Sequence, residues 1–234
     1  MTGSLRCVGL GPGDPELITR KAERLIRAAR IIAYPAPIGA ASFARSIAAE
    51  LIHPDSVEIP IEIPMQVEQF AALKAYDTAA IEITGHLERG NDVVVLCQGD
   101  PFFYGSFIYL FERIEGRFDI EVVPGVTSMT ACAAAALQPL CGRIETLTVV
   151  PAMLPEEDLG GRIRSAEPFV VIKVGRHIGK IRRLLDRLDR LDGAVFVSHA
   201  SLPHQSLTPL QDAPDPAPYF STVIVPGSKL LAVR

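Results

Sequence analysis

The chain has 234 residues, 48% of them hydrophobic and 21% charged, an ordinary globular composition with enough length for one large domain or two small ones. Its formal net charge of −4 provides no basic field of the kind a nucleic-acid binder needs, so no nucleic-acid partner is expected. No apolar run approaches the roughly 20 residues of a membrane span, and the opening MTGSLRCVGLGPG has no apolar leader segment, so a cytoplasmic protein without membrane attachment is expected.

In chain order, residues 4–9 read as a short apolar strand ending in glycine. Asp14-Pro15-Glu16 then has the composition of a helix start, with Asp14 as cap and Leu17, Ala22, Leu25, Ile26 and Ala29 as an apolar face. A second strand over 30–34 is stopped by Pro35-Ala36-Pro37. Helix over 42–51, a brief strand over 56–59 and a long helix over 67–89, closed by Gly90-Asn91, follow. Residues 92–98 (DVVVLCQ) are continuously apolar, as in a buried parallel strand. Helix over 103–114 and strand over 118–123 complete a βαβα alternation, which predicts a parallel sheet covered on both faces.

The second half changes character. A small-residue helix spans 127–137, with strands near 145–150 and 168–174. A basic helix over 180–191 precedes a strand over 194–199. Residues 203–218 are proline-rich and read as loop, and strands over 219–225 and 229–233 flank Pro226-Gly227 as in a hairpin. The expected organisation is two α/β domains, 1–124 with the parallel sheet and 125–234, hinged near Pro124-Gly125. The four cysteines form no CxxC pair and no metal spacing, so no metal site is expected. Cys7 and Cys97 read as reduced thiols buried in strands.

Gly9-Leu10-Gly11-Pro12-Gly13 is a glycine-rich strand-to-helix turn, yet its spacing is not the GxGxxG of a dinucleotide site. The second strand ends Ala33-Tyr34-Pro35, without the acid that a ribose hydroxyl requires, and no GK[ST] follows. Pro12 fixes φ and removes a donor, which suits steric packing against a ligand better than gripping a phosphate; a tight turn and nothing more fits the segment equally well.

Two more signals follow strands directly: QGDPFFYGSF at 98–107 and VPGVTSMTACAAAALQPL at 123–140. Carboxyl ends of parallel strands are where open α/β sheets bind ligands. With GxGPGD, GDP and PGVTS in order, and with VVIKVGR (170–176), SHASLPHQ (198–205) and PYFSTVIV (218–225) after them, the chain resembles the tetrapyrrole methylases over essentially its whole length. GDPFFYGSFIYL (99–110) and PLCGRIETLTVVPA (139–152) are most similar to the members that methylate carbon 20 of precorrin-2 in cobalamin synthesis. YPAPIGAAS (34–42) departs from the pattern in lacking a basic residue soon after the proline.

The resemblance implies two α/β domains with a donor-binding cleft between them, S-adenosylmethionine as methyl donor, a tetrapyrrole substrate and a homodimer. Carried over by motif position, Pro12, Gly99, Asp100, Pro101, Tyr104, Gly105, Thr127, Ser128, Val174, Ala200 and Thr222 would contact the donor. Asp100 and Tyr104 are the candidates for a catalytic role, the first toward the donor's positive charge and the second toward substrate. Read without the resemblance, Gly99-Asp100-Pro101 is a turn with an Asp cap and Thr127-Ser128 caps an alanine-rich helix. A polycarboxylate substrate calls for cations, and Arg113, Arg143, Lys173, Arg176 and His177 are candidates. Methylation at another tetrapyrrole position, methylation of cobalt-factor II, and donor binding without catalysis stay open as alternatives.

Overall fold

The structure is a computed structural model and describes residues 2–64 and 69–227. The chain divides into two compact units, Met1–Thr127 and Ser128–Arg234, each built on its own five-stranded sheet.

In the first unit the strands are β1 (Ser4–Gly9), β2 (Ile31–Pro37), β3 (Val57–Ile63), β4 (Val93–Cys97) and β5 (Asp119–Val123). They lie in the order β3-β2-β4-β1-β5 and every pairing is parallel. The central strand is β4, VVVLC, and all five of its residues are buried, as a strand covered on both faces requires. The pleat sends alternate side chains to opposite faces. Val8, Ile32 and Leu96 meet Ala22, Leu25 and Ile26 of α1 (Arg20–Ala28) and Ala44 and Ile47 of α2 (Phe43–Ile47). Leu5, Cys7, Val93, Val95 and Cys97 meet Ile83 and Leu87 of α3 (Gln69–Glu88) and Phe107 and Leu110 of α4 (Phe107–Ile114). The helix after β1 therefore leaves on one face and the helix after its neighbour β4 on the other. That reversal makes the carboxyl ends of β1 and β4 a topological switch point.

Five local readings change: the brief strand expected over 56–59 runs on to Ile63, the helix expected over 42–51 ends at Ile47, and three others follow. The helix expected from Asp14 is two pieces: Asp14 caps a single 3-10 turn, Pro15–Leu17, and α1 starts only after Thr19, whose hydroxyl takes the Ala22 N–H at 3.2 Å. The second strand is not stopped by its prolines. Ile38 N–H bonds to Ile63 O and Val57 N–H to Arg30 O, so the even-numbered residues of β2 carry the ladder to β3. Pro35 and Pro37 face the other side, where pairing with β4 ends at Ala33, and no donor is missed there. The helix expected from 103 begins at Phe107, because Tyr104 has φ +56° and Gly105 packs against backbone. The first residues expected in α3, 67 and 68, lie outside the described residues.

In the second unit β6 (Thr148–Pro151), β7 (Phe169–Ile172), β8 (Val195–Ser198), β9 (Ser206–Pro209) and β10 (Ser221–Val225) lie in the order β6-β7-β10-β8-β9. Only β6 and β7 pair in parallel; β10 runs antiparallel to both β7 and β8. One face packs on α6 (Glu156–Ile163) and α7 (Ile178–Arg187), with Phe169 and Phe196 among the largest side chains enclosed there. The other face packs on α5 (Ser128–Ala135) through Cys132. Residues expected as loop contribute β9, an edge strand, and α6 falls in a stretch to which the sequence reading assigns no element. The first of the two expected closing strands is β10, inserted between β7 and β8; the second, 229–233, lies outside the described residues.

Leu96→Ala removes a fully enclosed side chain from the central strand and is expected to lower unfolding free energy by about 2–5 kcal/mol. Ile81→Ala, at a site 75% exposed on α3, is expected to stay within about 0.5 kcal/mol of the parent; urea unfolding of both variants checks the contrast.

Candidate active site

The loops after β1, β4 and β5 meet as bare backbone. A Cβ added to Gly9 would stand 2.5 Å from the Gly125 nitrogen and 2.7 Å from the Gly99 oxygen. A Cβ on Gly125 would collide with the Gly99 oxygen and lie 2.8 Å from the Gly9 Cα. No side chain fits at either position. The first and second loops are also clipped together by hydrogen bonds: Gly11 N–H to Gly99 O at 3.2 Å, Gly99 N–H to Gly11 O at 2.7 Å, and Leu10 N–H to Cys97 O at 2.9 Å. Gly11 and Gly99 sit at φ +78° and +70°, a conformation open to glycine at no cost. Around Gly99 the direction a Cβ would take is empty to 4 Å. That side of the Gly99 backbone is therefore open to approach.

The Asp100 carboxylate ties the second loop to the third. One oxygen takes the N–H groups of Phe102 at 2.9 Å and Phe103 at 3.0 Å; the other takes the Gly125 N–H at 3.1 Å. The next turn is forced by Gly105, where a Cβ would stand 2.5 Å from the Pro101 oxygen. Tyr104 just before it is held at φ +56°, a strained value for a residue with a side chain. Its ring is 42% exposed and lies edge-on to Phe103 at 5.2 Å. Pro12 is buried in the first loop and Pro101 in the second. Thus Pro12, Gly99, Asp100, Pro101, Tyr104 and Gly105 are gathered by the adjacent ends of β1 and β4, with Gly125 from the end of β5 packed against them. Thr127 closes the first unit, and Ser128 is the exposed first residue of α5 in the second.

Within the second unit, β7 and β8 run the same way and β10 runs against them. Their carboxyl ends and the amino end of β10 share one edge, and Val174, Ala200 and Thr222 fall there. Val174 is fully enclosed by the core on the α6/α7 side, whereas Ala200 packs on the α5 side. Thr222 is buried opposite Val197. Ser221, which the motif reading passed over, fastens this edge: its hydroxyl accepts from Gly175 N–H at 3.3 Å and donates to Pro218 O at 2.7 Å. Lys173 and His199, the first residues past β7 and β8, both have positive φ, +56° and +52°.

The cation candidates separate. Arg113 is committed inside the first unit, to Asp77 at 2.7 Å and to the carbonyls of Tyr109 and Leu73, and it fastens α4 to α3. Arg143, Lys173 and Arg176 are exposed, and His177 is half-buried. Gly9 and Gly125 were not among the site residues expected from the sequence; their signal was a glycine at the end of β1 and another two residues beyond the end of β5.

Burial, with Lys180 and Arg176 adding positive charge, holds His177 below the ordinary histidine range; burial and then His204, whose ring centroid is 4.2 Å away, do the same for His199.

The family model of the tetrapyrrole (corrin/porphyrin) methylases matches residues 4–214. A precorrin-2 C(20)-methyltransferase from a Sinorhizobium species is 41% identical over 97% of this chain and 96% of its own length. A cobalt-precorrin-2 C(20)-methyltransferase from Salmonella typhimurium is 31% identical over 96% of this chain and 97% of its own. Among solved structures, uroporphyrin-III C-methyltransferase from Thermus thermophilus, complexed with S-adenyl homocysteine, superposes with a TM-score of 0.69 at 24% identity, covering 98% of this chain and all of that one.

Two substitutions separate packing from conformation. Gly99→Ala meets open space and is expected to cost only the roughly 1–2 kcal/mol of a left-handed residue. Gly125→Ala drives a methyl group into the Gly99 oxygen and is expected to cost clearly more, by urea unfolding. A pH prediction follows from the two histidines. Each is kept neutral by the fold, so below about pH 6.5 the unfolded chain takes up protons more readily than the folded one. Stability is therefore expected to fall as pH drops through the range just under about 6.5, and a His177→Gln/His199→Gln variant to flatten that slope in urea midpoints.

Proposed function

The chain belongs to the tetrapyrrole (corrin/porphyrin) methylase family, and we propose that it transfers a methyl group from S-adenosylmethionine to carbon 20 of precorrin-2 in cobalamin synthesis. The observation that carries this reading is the 41% identity, over nearly the full length of both chains, to a protein of that activity. When bound, the donor supplies a methyl group made electrophilic by a positively charged sulfur. The meso carbon of a reduced tetrapyrrole is electron-rich, so the protein has to supply neither a nucleophile nor a metal. Its work is alignment and exclusion of water, and alignment alone is worth about 7–11 kcal/mol.

The residues assigned to the donor form one group per unit. In the first, the glycine-on-glycine contact leaves Gly99 approachable, with Pro12, Pro101 and Gly105 as rigid walls and Thr127 beside the third loop. In the second, Ser128 opens α5, and Val174, Ala200 and Thr222 share one sheet edge. Because the Asp100 carboxylate already accepts three backbone N–H groups, we assign it the role of holding two loops in register rather than of accepting a proton. Tyr104 is assigned to substrate contact by its exposure and strained backbone, and Lys173, Arg176, His177 and Arg143 to the substrate carboxylates.

A homodimer is proposed on the exposed Leu137 and Ile144, 91% and 88% accessible in the segment after α5. A reducing, cytoplasmic setting is proposed on the four free cysteines. Among the described residues no helix is long and apolar enough to cross a membrane.

The test is incubation with S-adenosylmethionine and precorrin-2, with and without cobalt, followed by mass spectrometry and NMR. One added methyl at carbon 20 of the metal-free substrate is expected. Methylation of the cobalt form alone would move the assignment toward the activity of the Salmonella relative, and tight donor binding without product on either form would overturn the catalytic reading.

A further inference from the structure

Four rings of the second unit, none of them assigned to the donor, touch in a row. Tyr219 and Phe220 have ring centroids 5.0 Å apart, Phe220 and His199 6.3 Å, and His199 and His204 4.2 Å. The row runs along the surface rather than into the core. Phe220 and His199 are half-buried, His204 is exposed, and Tyr219 is 83% accessible. A single exposed aromatic side chain is ordinary. Four rings in contact on one stretch of surface are not what the burial of apolar area produces.

The backbone under the row is fixed. β8 and β10 pair as far as Ser198 opposite Ser221, and the next residues, His199 and Phe220, are joined by a bond from His199 N–H to Phe220 O at 2.8 Å. Ser221 N–H returns to Tyr219 O at 3.0 Å, and the Ser221 hydroxyl donates to Pro218 O at 2.7 Å. The turn that carries both histidines is closed by Leu202 N–H to His199 O and Gln205 N–H to Leu202 O, each at 2.9 Å, and by Ser201 N–H to Gln205 Oε1 at 2.8 Å. His199 and Ser201 are held at φ +52° and +69°, left-handed values unusual for residues with side chains. Tyr219 meets Phe220 near edge-on at 77°, and so does His199, the arrangement that aromatic pairs prefer. The rings brace one another, and the faces of Tyr219 are presented by a frame already ordered.

Two cations come from the neighbouring strand end. The register that pairs Val223 with Val171, continued by two residues, brings Lys173 level with Ser221, and Gly175 N–H reaches the Ser221 hydroxyl at 3.3 Å. The exposed Lys173 and Arg176 therefore start from backbone directly beside Tyr219 and Phe220. A conjugated ring system with carboxylates on its rim matches both features: its face meets the aromatic row and its anions meet the cations.

We propose that Tyr219, Phe220, His199 and His204 form a stacking surface for the face of a conjugated polycarboxylate ring, with Tyr219 contributing most to its affinity. That this ring is the tetrapyrrole substrate rests on the function proposed above; the stacking surface itself rests on the row. Tyr219 acts in binding and moves neither the methyl group nor a proton, so its loss raises KM and leaves kcat.

The test titrates the full chain with uroporphyrin III, a flat polycarboxylate porphyrin whose fluorescence reports binding. Donor affinity by calorimetry, and KM and kcat for precorrin-2, are measured in parallel. Tyr219→Ala is expected to weaken porphyrin binding and to raise KM, each roughly tenfold. Its kcat, S-adenosylmethionine affinity, urea midpoint and sedimentation mass are expected at parent values, since the ring lies outside the core. Tyr219→Phe keeps the ring and is expected to behave as the parent. His204→Ala is expected to weaken porphyrin binding roughly threefold. A parent that binds no uroporphyrin III, or a Tyr219→Ala variant that titrates like the parent, overturns the stacking surface. So does Tyr219→Phe if it is as weak as Tyr219→Ala, because a hydroxyl and not a ring face is then the contact. Loss of donor affinity in Tyr219→Ala assigns the row to the donor, and a changed sedimentation mass assigns it to a second copy of the chain; either overturns the proposal. Unchanged affinity in His204→Ala overturns the part given to the histidines. Porphyrin binding that depends on Tyr219, without methylation of precorrin-2, supports the surface and counts against the proposed reaction alone.

Discussion

Everything at the candidate site depends on three backbones being allowed to touch. Gly9, Gly99 and Gly125 end three neighbouring strands and approach closely enough that a single methyl group on the first or third has nowhere to go. Packing of this kind costs conformational entropy, since glycine loses more freedom on folding than any other residue. The compensation is local and polar: the paired bonds between Gly11 and Gly99, and the Asp100 carboxylate that reaches from the second loop to the third. The result is a surface of peptide groups without side chains, held by elements whose own apolar faces are buried on both sides of the sheet.

That arrangement suits a protein whose chemistry is brought in by its donor. Alignment needs walls that do not move, and the walls here are fixed by covalent stiffness (Pro12, Pro101), by forced backbone conformation (Tyr104, Gly105) and by a carboxylate whose oxygens already have N–H partners. Loops already ordered in the fold lose little further entropy when a ligand settles on them. The second unit solves the same problem differently. Its mixed sheet brings two carboxyl ends and one amino end to a common edge, and a serine hydroxyl rather than a glycine contact fastens them.

The sequence made the strands of the first sheet legible because a buried parallel strand is a continuous apolar run, and DVVVLCQ is such a run. The ordered loops GPGD, GDP and PGVTS were legible for a related reason: glycine and proline mark the strand ends where ligands collect. What escaped was decided by partners far along the chain. Nothing near Pro35 and Pro37 reveals that their missing donors face a side with no acceptor to satisfy. Nothing near Asp100 reveals Gly125 N–H as its third partner, and Arg113 looked available only because Asp77 and Leu73 lie on another helix. The Thr19 cap that restarts the first helix was readable in principle, but the stronger Asp14-Pro15-Glu16 signal preceded it.

The strand order has a consequence in time. β1 takes no partner from the chain that immediately follows it; Ser4 bonds to Asp92, 88 positions later, and β1 pairs only with β4 and β5. A ribosome adding residues at its usual pace needs on the order of ten seconds to deliver that partner. During this interval β2 and β3, joined by a much shorter connection, can already zip together while LRCVG waits unpaired. Arg6 sits in the middle of that waiting strand, and in the finished molecule it is held by Asp92, just ahead of β4, and by Glu121 on β5. A lone charge in an otherwise apolar segment is the usual guard against premature association with other chains, so the same guanidinium serves a nascent chain before it serves the folded one.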